Sequence, residues 1–256
     1  DVFRGLTIAA MLLVNNPGSW SHVYAPLRHA EWHGWTPTDL IFPFFLFIVG
    51  VAITFAFGSR LERGASRREL LGKATKRAFI LFGLGLILHA FPFWGVDFGT
   101  LRIPGVLQRI AVAYLAASVI VLYTGPRGQA VATALLLLGY WALMTLVPVP
   151  GYGAGDLSPD GNLGAYLDRL ILGTDHLWQY SRTWDPEGIL STLPAIGSVL
   201  LGVFTGHWIR SGRSRGRITV GLLAAGVVAT AVGAAWGVVF PINKNLWTSS
   251  YVVFTA

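Results

Sequence analysis

Apolar residues in this chain come in long runs, and polar residues gather between the runs. A helix that crosses a membrane needs about 20 mostly apolar residues. Candidate runs cover residues 1–16, 40–57, 77–93, 106–123, 130–147, 188–209 and 218–240, and an eighth begins near Ser249. The first is short unless further residues precede it. The pattern predicts an all-α, multi-pass transmembrane helix bundle with seven to eight spans. With no internal repeat, low-complexity tract or soluble segment, residues 1–256 read as a single domain. The chain opens without Met and stops inside an apolar run, so it reads as a piece cut from a longer protein at both ends.

Composition sharpens this picture. The sequence is 54% hydrophobic and 12% charged, with a mean hydropathy of +0.58. A soluble domain carries about 25% charged residues. The absence of cysteine excludes disulfides, thiolate nucleophiles and iron–sulfur ligation. The net charge of +7 is unevenly placed. If the spans alternate, one side holds 13 basic residues, including Arg60, Arg63, Arg67, Arg68, Lys73, Lys76, Arg77, Arg210 and Arg213. That side holds three acidic residues, and the other holds six basic and nine acidic ones. Lys and Arg accumulate on the cytoplasmic side of membrane proteins. The charge is therefore a topology signal, and with no basic stripe interleaved with aromatics it does not indicate a nucleic-acid partner.

Small residues recur at four-residue spacing, as Gly221, Ala225, Ala229, Gly233 and Gly237, and as Gly202 and Gly206. On one helical face they let backbones approach closely in lipid, and helix packing is the reading they support.

Chemistry concentrates between His29 and Asp39, at the mouth of the second run and on the side away from the basic loops. Ionisable groups are costly near hydrocarbon, so such a cluster is a functional-site candidate by default. His29 can accept or donate a proton near neutral pH. Asp39 can hold its imidazole in one tautomer and stabilise its charged form, although the pair also suits a structural hydrogen bond. His33 follows His29 by four residues, but the Trp-His-Gly-Trp sequence does not read as a helix and no third ligand is evident, so no metal site is expected. Asn15 and Asn16 close the first span. An amide there can stabilise an oxyanion or simply cap the helix. Arg102 and Arg109 suit the phosphates or carboxylate of a ligand, and equally a structural salt bridge, with Asp97 a candidate partner. The segment from 148 to 187 mixes six carboxylates with Trp178, Tyr180 and Trp184, which suits a sugar amine or an interfacial aromatic belt.

Six blocks then carry a resemblance: His29-Ala30-x-Trp32, Asp39–Pro43, Arg102–Arg109, Asp168–Gly173, Asp185–Leu190 and Pro241–Trp247. In this order they resemble the heparan-α-glucosaminide N-acetyltransferase family and its bacterial relatives. The resemblance implies a multi-pass membrane acyltransferase that uses cytosolic acetyl-CoA, as co-substrate, to acetylate a sugar amine across the membrane. It places the active histidine at His29, with Asn15 and Asp39 beside it. Arg102, Arg109 and Lys244 are then candidates for the anionic parts of the donor. The partners so implied are the lipid bilayer, acetyl-CoA and a sugar or glycan acceptor, with homo-oligomerisation left open. The Ala/Gly/Arg-rich composition points to a bacterial inner membrane, with His29 on the extracytoplasmic side. The rival class is a proton-coupled transporter, which also carries intramembrane His, Asp and Arg, but no inverted repeat supports it.

Overall fold

A computed structural model describes residues 2–256, and about 66% of the chain is helical. Among the described residues nine α-helices follow one another: α1 (Val2–Asn15), α2 (Ile41–Glu62), α3 (Arg67–Ala90), α4 (Val106–Tyr123), α5 (Pro126–Leu146), α6 (Leu163–Leu172), α7 (Thr192–Ile209), α8 (Arg215–Trp236) and α9 (Ser249–Phe254). A short 3₁₀ turn over Pro37–Leu40 leads into α2, and a two-stranded antiparallel hairpin, β1 (Pro148–Val149) and β2 (Gly153–Ala154), follows α5.

The expected all-α bundle is present. Of its seven to eight expected spans, five are helices long and apolar enough to cross a membrane among the described residues: α2 with its leading turn, α4, α5, α7 and α8. This is an integral membrane protein. The remaining candidates fall short for different reasons. Asp1 lies outside the described residues, and the 14 residues of α1 reach only about 21 Å at 1.5 Å per residue. The α3 helix is 24 residues long but starts ten residues before its apolar run. The basic stretch read as a loop is its first turns, capped by Ser66, whose hydroxyl accepts from the Glu69 amide at 3.1 Å.

Helices α2 and α7 form the centre. Their approach is set by glycines: a Cβ on Gly50 would lie 1.8 Å from the Val199 carbonyl oxygen, and one on Gly202 would lie 1.9 Å from that of Phe47. Gly206 meets Thr54, whose hydroxyl donates to the Val203 carbonyl at 3.2 Å. The small-residue reading therefore holds for α7. In α8 it holds only at the ends, where Gly221 meets Trp208 and Gly233 meets the Phe254 backbone. Between them α8 stands away from α2 and α7. Ala225 and Ala229 face a cavity of about 1150 Å³ that runs from Phe3 and Phe44 to Arg60 and Arg63.

The tilted rings of Phe3 and Phe44, with centroids 5.3 Å apart, set the start of α1 against the first turn of α2. Phe44 is 16 residues from Arg60, about 24 Å along the helix. Arg4, beside Phe3, lines the same cavity as Arg60 and Arg63.

Candidate active site

Asp39 occupies the turn that starts α2, and the turn needs it there. Its Oδ2 accepts from the Ala30 amide (3.0 Å), the Thr36 amide (3.0 Å) and the Thr36 hydroxyl (3.1 Å). Its Oδ1 meets His29 Nδ1 at 2.6 Å. The Tyr251 hydroxyl donates to the Asp39 carbonyl and ties the turn to α9. A carboxylate is an acceptor only, so Nδ1 of His29 donates to it, and in the neutral imidazole this leaves the lone pair on Nε2. Asp39 is 1% exposed and the His29 side chain 51%. One partner is thus buried and fixed, while the other opens to solvent. That division suits a base whose orientation is held from behind.

A second wall comes from the loop between α8 and α9. Lys244 Nζ lies 3.0 Å from His29 Nδ1, 3.4 Å from its Nε2 and 3.6 Å from Asp39 Oδ1. Burial lowers the proton affinity of this lysine, against the opposing pull of Asp39 and Glu187. The loop is held from several directions. Asn243 Oδ1 accepts from the Leu246 amide at 2.9 Å, and the Asn243 amide donates to the Thr248 hydroxyl at 3.1 Å. The Trp247 indole donates to Ser198 at 3.1 Å, and the Tyr140 hydroxyl donates to the Leu246 carbonyl at 2.5 Å. Trp247 itself is buried in the left-handed region at φ 52°, a conformation that persists only where surroundings over-determine it.

The other expected residues fall elsewhere. Asn15 is exposed on the last turn of α1 and has no hydrogen bond to His29, while Asn16 caps that helix through the Leu12 carbonyl at 2.8 Å. His33 turns from His29 to Asn243 Nδ2, 3.3 Å away. Arg102 is committed: Nε and Nη2 hold Asp185 at 2.8 and 2.6 Å, and Nη2 also holds Glu187 at 2.7 Å. Burial opposes its charge, but the two carboxylates outweigh it and raise its proton affinity. Asp97, the expected partner, instead closes its own turn by accepting from the Gly99 amide at 2.8 Å. Arg109 is 2% exposed, donates to the Gly188 carbonyl and Ser191, and lies 5.1 Å from the Trp247 ring. It braces two loops from inside the bundle.

On the same side, a cleft of about 580 Å³ opens between the α3–α4 loop and the segment around Trp178. Trp178 contacts Trp184 at 5.4 Å, and Trp184 contacts Trp32 at 4.9 Å. An aromatic path therefore joins this cleft to the loop that carries His29. The residues that sequence reasoning left without a role are Asn243, Trp247, Ser198 and Tyr251. The first two lie in the 241–247 block that carried the resemblance, which signalled the loop without revealing what it grips.

A transmembrane helix bundle that carries a half-exposed histidine held by a buried carboxylate at one end defines the class: a multi-pass membrane protein with a His–Asp pair at its rim. The comparisons say which one. Residues 1–235 match the family model described as heparan-alpha-glucosaminide N-acetyltransferase, catalytic, and the chain belongs to that family. It is 34% identical to the human heparan-alpha-glucosaminide N-acetyltransferase and 33% identical to the mouse protein, in each case over 98% of this chain. These alignments cover 45% and 46% of the relatives, so the chain spans just under half the length of the curated relatives it matches.

Proposed function

We propose that this chain is the core of a transmembrane acetyltransferase. It moves an acetyl group from acetyl-CoA on the basic, cytoplasmic side to an amine or hydroxyl of a sugar-like acceptor on the other side. His29 Nε2 takes the proton from the acceptor as its nitrogen or oxygen attacks the thioester carbonyl. The new bond to carbon forms, the carbon–sulfur bond breaks, and the thiolate leaves with the proton returned by the imidazolium. Asp39 steadies that imidazolium. A two-step route through acetylated His29 uses the same two residues.

The observation that carries the reading is the 2.6 Å contact between His29 and the buried Asp39. Two further features support it. The 1150 Å³ cavity runs along α2 from Arg60 and Arg63 to Phe44, which is five residues, about 7.5 Å of helix, from Asp39. The arginines suit the phosphates of a donor entering from the cytoplasm, while Phe47, Val51 and Phe55 suit its uncharged arm. The outer cleft, with Trp94 and Trp178 in its walls, suits sugar rings.

The test is acyl transfer by purified protein given labelled acetyl-CoA and glucosamine. His29→Ala should lower turnover by about 10²–10⁴-fold, the usual worth of a general base, while leaving the melting temperature unchanged. Retained turnover in that variant, or solute flux without thioester cleavage, overturns the reading.

A further inference from the structure

We infer that Lys244 is a catalytic residue: its ammonium stabilises the negative charge that develops on the thioester carbonyl oxygen as His29 acts. The inference rests on the acyl-transfer reading and adds the electrophilic half that reading lacks. Acyl transfer through a tetrahedral intermediate needs a donor aimed at the forming oxyanion. Asn15 has no bond to His29, so nothing holds an amide there beside the base.

Lys244 is held at the base. Its Nζ lies 3.0 and 3.4 Å from the two ring nitrogens of His29. The Nδ1 proton already points at Asp39 Oδ1, so Nδ1 has no lone pair for the ammonium to use. Asp39 Oδ1, 3.6 Å away, forms a long ion pair that helps hold the ammonium in place. Nε2 and Asp39 together engage at most two of the three ammonium hydrogens, which leaves at least one for an oxyanion that forms beside Nε2. The lysine's backbone is as firmly set as its head group: the Trp247 amide donates to the Lys244 carbonyl at 3.1 Å, and the Asn243 bonds fix the residue before it. A positive group fixed before the reaction costs no reorganisation when charge develops. Three ionisable groups act on it from other elements: Asp39 on the turn before α2, His29 on the outer loop and Glu187 on the turn before α7. With the side chain 19% exposed, burial outweighs the two carboxylates and eases its proton away.

The balance of the step is simple. The acceptor's electron pair forms the bond to carbon, the carbonyl π-pair moves to oxygen beside Lys244, and it returns as the carbon–sulfur bond breaks. Lys244 keeps its protons throughout.

The experiment compares wild type, Lys244→Met and Lys244→Arg for kcat, for KM of acetyl-CoA, for binding of CoA alone and for the pH profile. We expect Lys244→Met to lose about 10²–10³-fold in kcat, the worth of one oxyanion donor, with KM and CoA binding within about twofold of wild type. Lys244→Arg should recover part of the rate. In wild type, activity should fall on the alkaline side before the ordinary lysine range is reached, and Lys244→Arg should remove that limb. A loss expressed only in KM and CoA binding would make Lys244 a donor-phosphate ligand and overturn the inference. So would an unchanged kcat in Lys244→Met, or an alkaline limb that survives Lys244→Arg. If wild type itself cleaves no thioester, the underlying reading fails first and this inference falls with it.

Discussion

Asp168 shows what the interior of the outer segment does to a charge. It is 2% exposed, and its Oδ1 accepts from the Ile189 amide at 2.8 Å. Burial is the main cause that pushes its proton affinity up to about 7, with the neighbouring Asp185 adding to it and Arg109 and Arg169 opposing. The folded state therefore binds a proton that the unfolded chain releases at the ordinary carboxylate value. Its contribution to stability is complete at about pH 4 and is lost as the pH rises through 7. The expected outcome is a melting temperature in detergent that falls over this window. Asp168→Asn, neutral at every pH, should match wild type near pH 4 and exceed it at pH 8, and parallel curves for the two proteins would contradict the assignment. Individual residues were unevenly legible. His29 and Asp39 were readable because both lie in one contiguous block, ten residues apart, at the mouth of an apolar run. Lys244 was readable as a candidate for the donor's anionic parts but not as a neighbour of the base, because its contact with His29 joins positions 215 apart. The Arg102 ion pair likewise closes over 83 residues, and no spacing rule reaches that far.

At the scale of elements, the crossing of α2 and α7 depends on two missing side chains. A Cβ at Gly50 or Gly202 would sit within 2 Å of a carbonyl oxygen on the opposing backbone, and backbone cannot swing aside as a side chain can. Gly202→Ala should lower stability by about 1–3 kcal/mol or more, the usual cost of overpacking. Gly216→Ala, with nothing within 4 Å of the added carbon, serves as the control and should be neutral or slightly stabilising. Thermal unfolding in detergent measures both, and equal melting temperatures for the two variants would contradict the packing account. Apolar periodicity located most of the helices, since run length in lipid leaves little choice of structure. It misjudged where polar residues continue a helix beyond the membrane, as in the first turns of α3. It also gave no warning of α6, a ten-residue amphipathic helix capped by Asn162 inside the segment read as a polar loop. Short helices outside lipid are set by caps and packing, which hydropathy does not register.

For the whole molecule, sidedness gives the arrangement its meaning. The basic ends of α2, α3, α7 and α8 face one way, and the His29 site faces the other. A cavity between α8 and α2 runs from Arg60 and Arg63 at the basic end as far as Phe44, in the first turn of α2. A soluble acyltransferase would gain nothing from this layout, because donor and acceptor would share one compartment. Under the proposed function, a protein that joins two compartments needs its base at one face and the donor's charged end at the other. The sequence revealed the charge asymmetry and the cluster at the rim. The cavity arises because α8 stands away from the closely packed α2–α7 pair, so only the assembled bundle displays it.

The most direct measurement of this claim uses the protein reconstituted into sealed liposomes of known orientation, with glucosamine on the His29 side and acetyl-CoA on the side of Arg60 and Arg63. Acetylated glucosamine should then accumulate in the acceptor compartment without acetyl-CoA crossing, at a rate that His29→Ala abolishes. Transfer only when donor and acceptor are supplied on the same side would contradict the account, as would product formation that ignores the histidine.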